Sequence, residues 1–321
     1  MAISIIIPST GERTAILLAT IEASLCAIED IEAEVIVIKR SEKHVPVVHP
    51  KLRLVDVDFN NVSASRNLGA KLANYDTLFF IDDDINIVSE NIEKCAEFEK
   101  KISQPYVVSA IWNHSQKVID LQNNTFLGQM LAMYFPNDSY KTRYKKVATK
   151  DNWRDNACFK SSAEHVFWEP CFSIRRDDYL RVGGMNELFY FGNEGTEFLR
   201  RLLNVGVAYY IDSANIVSHN EWDKFNDWRI PEKRWQVEAE LVNDGKSPID
   251  NTKRNFLYKL VYGTFISFLI YPLRTLLHNK TERTNSAKLY FKLFDVYLTS
   301  IYWRRISWKT LWRQPVSLVS P

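Results

Sequence analysis

Cysteine is scarce in this chain and follows no pattern. The four among 321 residues, Cys26, Cys95, Cys158 and Cys171, form neither a C-x-x-C pair nor a His-linked spacing, which argues against zinc and against a disulfide framework and predicts reduced thiols. Long hydrophobic runs are missing too. The most apolar stretch, Leu260 to Leu277, is shorter than the ~20 residues a membrane span needs and is interrupted by Pro272 and Arg274. No charged segment followed by an apolar one precedes the first predicted strand, so the chain is expected to stay in the cytoplasm. Internal repeats and low-complexity tracts are absent. So is a glycine-rich phosphate loop ending in Lys after the first strand, which weakens a nucleotidyltransferase reading.

What is present describes a well-packed α/β protein. A hydrophobic content of 46% rules out disorder as the main state. Near-continuous Ile and Val runs at Ile3–Ile7, Glu34–Ile38 and Leu52–Val57 alternate with helical patterns. That alternation predicts a parallel sheet covered on both faces, whose ligands bind at the carboxyl ends of its strands. The segment Leu78-Phe79-Phe80-Ile81-Asp82-Asp83-Asp84 is the most informative. It reads as a buried strand that delivers three carboxylates to its carboxyl end, where they suit a hard cation such as Mg²⁺ or Mn²⁺ shared with substrate phosphates. Just upstream, Ser63–Ala73 reads as a short helix with Leu68, Leu72 and Ala73 on one face, carrying Arg66 and Asn67 toward the same strand.

Charge is unevenly distributed. From Asn251 to Pro321 twelve Lys and Arg face only Glu282 and Asp295, a net +10 that leaves −8 on residues 1–250 of a chain with +2 in all. The tail also holds 14 of the 42 Phe, Trp and Tyr residues. Basic, aromatic helices of this kind either lie on an anionic membrane surface or pack against the rest of the protein or a second copy of it. Nucleic-acid binding is disfavoured, because the cations are interleaved with apolar residues rather than forming an open polar face.

Over residues 3–222 the sequence resembles the family 2 inverting glycosyltransferases of the GT-A fold. The strand ending in Pro8, the stretch Ala64-Ser65-Arg66-Asn67-Leu68-Gly69, the triad Asp82-Asp83-Asp84, and the run Phe172 to Glu187 with its Gly183-Gly184-Met185-Asn186-Glu187 turn match the family's motifs in order. The resemblance implies a GT-A domain at 1–222 and a helical extension at 223–321. It implies a nucleotide-diphosphate sugar donor, by default a uridine one, that meets Pro8, Ser9, Thr10, Arg13, Arg66, Asn67, Asp82 and Asp83. It also implies Mn²⁺ or Mg²⁺ on Asp84, with Asp82 nearby and His219 as a further ligand. On the acceptor side it points to Trp168, Glu169 and Arg175, and it makes residues 137–165 a lid or acceptor loop. The basic tail points to a lipid-linked or surface-polysaccharide acceptor at the inner face of a membrane, with a homo-oligomer as the other use of the same surface.

The chain departs from the family pattern twice. Where the family places its catalytic Asp, the run Gly192-Asn193-Glu194-Gly195-Thr196-Glu197 has Gly195. Either Glu194 has become the base, with Glu197 beside it in the motif, or the base comes from elsewhere, or the protein is a non-catalytic carbohydrate- or nucleotide-binding relative that serves as a partner subunit. Glu194 is the preferred candidate, since a carboxylate within reach of the acceptor hydroxyl suits the task. Both glutamates also suit the positive end of a helix dipole, worth about 0.3–1 kcal/mol. The second departure is Lys39-Arg40-Ser41-Glu42 where an Asp commonly holds the donor base; it reads as a solvated basic turn.

Overall fold

The computed structural model describes residues 2–40, 45–114, 116, 119–120, 148–149, 158–161, 167, 170–189 and 194–220, together with isolated positions at 236, 239–240, 243, 299 and 305. One compact unit comprises residues 1–115 and 137–220, and a second comprises 116–136 and 221–321.

The first unit is built on one sheet. Its strands are β1 (Ile3–Ser9), β2 (Ala33–Arg40), β3 (Leu52–Val57), β4 (Thr77–Ile81), β5 (Ile85–Asn86), β6 (Tyr106–His114), β7 (Ala148–Thr149), β8 (Cys158–Ser161), β9 (Cys171–Arg175) and β10 (Ala208–His219). They lie in the order β3-β2-β1-β4-β9-β6-β10-β8-β7, with β5 paired to the end of β10. The first four run parallel, as the Ile and Val runs predict. An all-parallel sheet is not what forms, however. Strand β9 inserts antiparallel between β4 and β6 and pairs Ile81 with Cys171 and Thr77 with Arg175. The segment read as a lid contributes β7 and β8, an antiparallel pair at the edge beside β10.

Helix α1 (Thr14–Ala27) buries Leu17, Thr20, Ile21, Ser24 and Ala27, the i, i+3, i+4 spacing of one face. Past its end the ammonium of Lys51 donates to the carbonyls of Ile28, Glu29 and Ile31 at 2.7, 2.7 and 2.8 Å, satisfying groups that the helix itself leaves open. Helix α3 (Ser89–Lys101) opens on Asn91, whose side chain accepts from the Val88 backbone at 2.8 Å. Helices α4 (Arg176–Arg181) and α5 (Glu194–Asn204) follow β9. In the second unit the described residues at 236, 239–240, 243, 299 and 305 are helical, and Arg305 joins Glu240 at 3.2 Å and accepts through its carbonyl from Asn243 at 2.7 Å. Among the described residues no helix is long and apolar enough to cross a membrane.

Helix α2 (Val62–Leu72) departs from its predicted amphipathic reading. The Asn61 side chain caps it by accepting from the Ala64 backbone at 3.1 Å. Its buried face is Ser63, Ser65, Arg66, Asn67, Gly69 and Ala70, whereas Leu68 and Leu72 are only partly buried. The cause is close approach to β1: a Cβ on Gly69 would lie 2.4 Å from Cγ2 of Ile6. Only a bare backbone lets the helix sit that close, and the polar residues flanking Gly69 are thereby pressed against the sheet. Ile6 is fully buried and β-branched, so it has little freedom to yield. Gly69→Ala is therefore expected to lose about 1–3 kcal/mol of unfolding free energy through overpacking, outweighing the helix-propensity gain of about 1 kcal/mol; urea denaturation measures it.

Candidate functional site

The site begins where β4 stops. Its five residues are buried, and the chain then turns through Asp82–Asp84 into β5, with the Ile85 amide on the Asp82 carbonyl at 3.1 Å. Three neighbours hold the turn. The Asp82 amide donates to the Pro170 carbonyl ahead of β9 at 2.9 Å, the Asn220 amide after β10 donates to the Asp84 carbonyl at 2.7 Å, and Thr20 of α1 donates to the Asp83 carbonyl at 3.0 Å. The three carboxylates are thus fixed in direction before any ligand arrives.

They point two ways. Asp82 meets Arg66 of α2 at 2.7 Å. Asp83 and Asp84 face the β1–α1 connection and the end of β10. The Arg13 guanidinium spans them, one nitrogen on Asp83 Oδ1 and the other 2.7 Å from Asp84 Oδ2. Ser9 donates to the second Asp83 oxygen at 2.5 Å, a meeting that follows from the register of β1 with β4. His219 Nε2 lies 3.0 Å from Asp84 Oδ1, and its ring stands edge-on to Trp112 with centroids 4.6 Å apart. Burial pushes the Asp83 carboxyl up to about 6; Arg13 and Ser9 oppose that rise, and Asp84 and Asp82 add to it. Burial is thus the main reason that ionised Asp83 is disfavoured here, with its two neighbouring carboxylates adding to it.

The donor set fits Mn²⁺ or Mg²⁺ in kind. Oxygen ligands from Asp84 and its neighbours suit a hard ion, and an imidazole at His219 suits Mn²⁺. Among the described residues, no three His, Cys, Asp or Glu side chains are drawn together as a preformed cage.

Arg66, 1% exposed, ties this turn to α5. Besides Asp82 it touches Met185 Sδ at 3.5 Å and approaches Glu194 Oε1 at 4.0 Å. Glu194 opens α5 and is 7% exposed; its other oxygen, Oε2, is buried with no hydrogen-bond partner among the described residues. Such a carboxylate oxygen costs free energy unless something arrives to use it.

The remaining sequence-predicted residues fall into other roles. Asn67 is not directed to a donor: its Oδ1 accepts from Tyr179 at 2.7 Å and from the Met185 amide at 2.8 Å, and its Nδ2 donates to the Met185 carbonyl at 2.8 Å and to Glu187 at 2.9 Å. It clamps the Gly183–Glu187 turn onto α2, and Gly184, at φ +72°, leaves the room it needs, since a Cβ there would stand 2.3 Å from Asn67 Oδ1. Burial pushes the Tyr179 phenol up, keeping it a neutral donor. Glu197 is engaged within the fold. Both its oxygens take Arg201 at 2.7 Å, and Arg201 also reaches the carbonyls of Val182 and Gly184 at 2.5 and 2.8 Å.

Arg175 lies away from the carboxylate turn. Because β9 runs antiparallel, its last residue pairs with Thr77, at the far end of β4 from Asp82, and its guanidinium binds Glu99 and the carbonyls of Ile102 and Ser103. Thr10 closes its own turn by accepting from the Glu12 amide at 3.3 Å, and Pro8 pairs with Ile38 inside the sheet. Trp168 and Glu169 lie outside the described residues. Lys39 is no solvated turn: it is 4% exposed and pairs with Asp56 across the β2–β3 register. The sequence signal for that pair was only the equivalent place of the two residues at the ends of neighbouring strands. If Glu197 acts through Arg201 alone, Glu197→Gln should lower unfolding stability by about 1 kcal/mol or more in urea denaturation, while calorimetric nucleotide binding stays at the wild-type level.

Solved structures that resemble the chain include two of S. aureus TarS. The crystal structure of S. aureus TarS matches with TM-score 0.47 and 14% identity, over 94% of this chain and 55% of that one. The crystal structure of S. aureus TarS 1-349 matches with TM-score 0.45 and 15% identity, over 95% of this chain and 91% of that one. This chain thus spans little more than half the length of the first. No curated protein matches by sequence. The family model described as glycosyltransferase like family 2 matches residues 29–230, which takes in α2, the Asp82–Asp84 turn, Glu194 and His219. With more than half of its length matched, the chain belongs to the glycosyltransferase like family 2.

Proposed function

We propose that the protein is a metal-dependent, inverting glycosyltransferase that moves a sugar from a nucleoside-diphosphate donor, by default a uridine one, to a hydroxyl of a lipid-linked or surface-polysaccharide acceptor. The observation that carries this reading is Arg66, which binds Asp82 and stands 4.0 Å from Glu194. It brings Glu194, the carboxylate next to Gly195, to the turn where the donor's phosphates are expected.

Glu194 is the base in this reading. It takes the proton from the acceptor hydroxyl as that oxygen attacks the anomeric carbon from the face opposite the diphosphate. The bond from carbon to phosphate oxygen breaks in the same step, and the nucleoside diphosphate leaves with its electron pair. Mn²⁺ or Mg²⁺ held by Asp84, His219 and a neighbouring carboxylate would offset the charge that builds on the leaving group. Arg66 keeps Asp82 oriented and stands 4.0 Å from Glu194. The basic, aromatic tail lies outside the described residues except at 299 and 305; its +10 charge supports an acceptor carried at an anionic membrane surface on the cytoplasmic side.

Calorimetry with UDP, GDP, CMP and dTDP, with and without Mn²⁺, tests the donor site. One nucleotide is expected to bind only with metal, and Asp84→Ala is expected to abolish that binding. Failure of every nucleotide to bind would move the protein to the non-catalytic relative. Glu194→Gln is expected to keep nucleotide binding and to lower turnover by about 10²- to 10⁴-fold, read as Mn²⁺-dependent release of nucleoside diphosphate. Unchanged turnover would remove Glu194 as the base.

A further inference from the structure

We propose that a bulge in β10, locked to α3 by Asn91 and Asn215, is what delivers His219 to the carboxylate turn. Asn215 is then a positioning residue for the divalent cation expected there, a role that rests on the metal reading given above.

Strands β10 and β6 run parallel and stay in step from Ala208 with Tyr106 to Asp212 with Ala110. The next pair is Ile216 with Ile111, so that Ser213, Ala214 and Asn215 fall outside the register. Pairing then resumes to the end of the strand, where His219 lies opposite His114. Had the first register continued, the residue opposite His114 would be four beyond Asp212, which is Ile216. An apolar side chain would then stand at the level where the imidazole stands. The resumed register also pairs His219 with Ile85, one residue past Asp84, and Nε2 lies 3.0 Å from Asp84 Oδ1. Bulges are rare between parallel strands, and re-aiming a side chain beside a site is one of their uses.

Side chains hold the bulge in place of the ladder it interrupts. Asn91, in the first turn of α3, donates to Asn215 Oδ1 at 2.7 Å and to the Ile216 carbonyl at 2.9 Å. Asn215 donates in return to the Asn91 carbonyl at 3.4 Å and to Cys95 Sγ at 3.7 Å. Lys94 donates to the Ala214 carbonyl at 2.5 Å, and the Ala214 amide donates to Asp212 at 3.0 Å. Asn91 and Asn215 are 2% and 4% exposed, and amides buried so deeply cost free energy unless they are bonded. Because Ile216 opens the resumed register and its carbonyl is held by Asn91, the asparagine pair sets where pairing restarts. A slip of one residue there would turn His219 to the other face of the sheet. The bonds of Asn215 go to Asn91 and Cys95, so its effect on a cation passes through His219.

The full chain is compared as wild type, Asn215→Ala, His219→Ala and the double variant, with unfolding temperature as the control for folding. Mn²⁺ alone is titrated, and free ion is read by its electron paramagnetic resonance signal. Asn215→Ala should bind Mn²⁺ about 10- to 100-fold more weakly than wild type, the usual cost of losing a group that orients a metal ligand. In the His219→Ala background the same substitution should change Mn²⁺ affinity by less than about twofold, because a positioning effect vanishes with the residue positioned. An equal loss in both backgrounds marks a general loosening of the fold and overturns the proposal. Wild-type Mn²⁺ affinity in Asn215→Ala or in His219→Ala overturns it too, and leaves the carboxylate turn standing as a cation site. Should Asn215→Ala not fold, Lys94→Met repeats the cycle by removing the donor to the Ala214 carbonyl at a side chain 20% exposed; a smaller loss that again depends on His219 is expected. Absence of Mn²⁺ binding in wild type sinks the metal reading itself, and the role of Asn215 with it.

Discussion

Three carboxylates at the end of a fully buried strand repel one another, and the way that repulsion is offset organises the structure around them. Arg66 answers Asp82 from α2, Arg13 answers Asp83 and Asp84 from the β1–α1 turn, and His219 meets Asp84 from the end of β10. Elements separated by up to 135 residues in sequence converge on one short turn. Removing either partner of a buried pair costs about 3–5 kcal/mol, so these contacts make the site and the fold depend on each other.

The same need explains the unusual face of α2. A helix against a sheet ordinarily buries Leu and Ile, yet α2 turns Arg66 and Asn67 inward and leaves Leu68 and Leu72 at its margin. Gly69 permits the close approach to Ile6, and the inward polar side chains find partners in Asp82 and in the Gly183–Glu187 turn. Burying them is tolerable because most of their polar atoms are bonded, the Nε of Arg66 being the exception among the described residues. Asn67 and Arg201 then act from two sides on that turn, Asn67 on Met185 and Arg201 on the carbonyls of Val182 and Gly184. This seats α5 with Glu194 facing Arg66.

Glycosyl transfer needs a place for the leaving charge, a base for the incoming hydroxyl, and a way to keep the two from neutralising each other. Arg66 and Arg13 are two cations that the fold brings to these carboxylates. Arg66 stands between the turn and α5, bonded to Asp82 and 4.0 Å from Glu194, whereas Arg13 spans Asp83 and Asp84 from the β1–α1 turn.

Some of this was legible from the residues alone. The Ile and Val runs, the break at Asp82-Asp83-Asp84 and the polar stretch before Gly69 are local patterns, set by strand and helix periodicity within a few residues, and the structure realises them as β1, β2, β3, β4, the carboxylate turn and α2. Other features turned on pairings between distant strands that no local pattern encodes. The antiparallel course of β9 carried Arg175 away from the site, the β2–β3 register drew Lys39 into the sheet beside Asp56, and β8 came to lie along β10 from a segment without readable periodicity. The sequence by itself determined which charges end the central strand, because composition and alternation act over short range. Only the tertiary structure decided which cations answer them, because strand direction, register and the close approach allowed by Gly69 set distances between residues far apart in the chain.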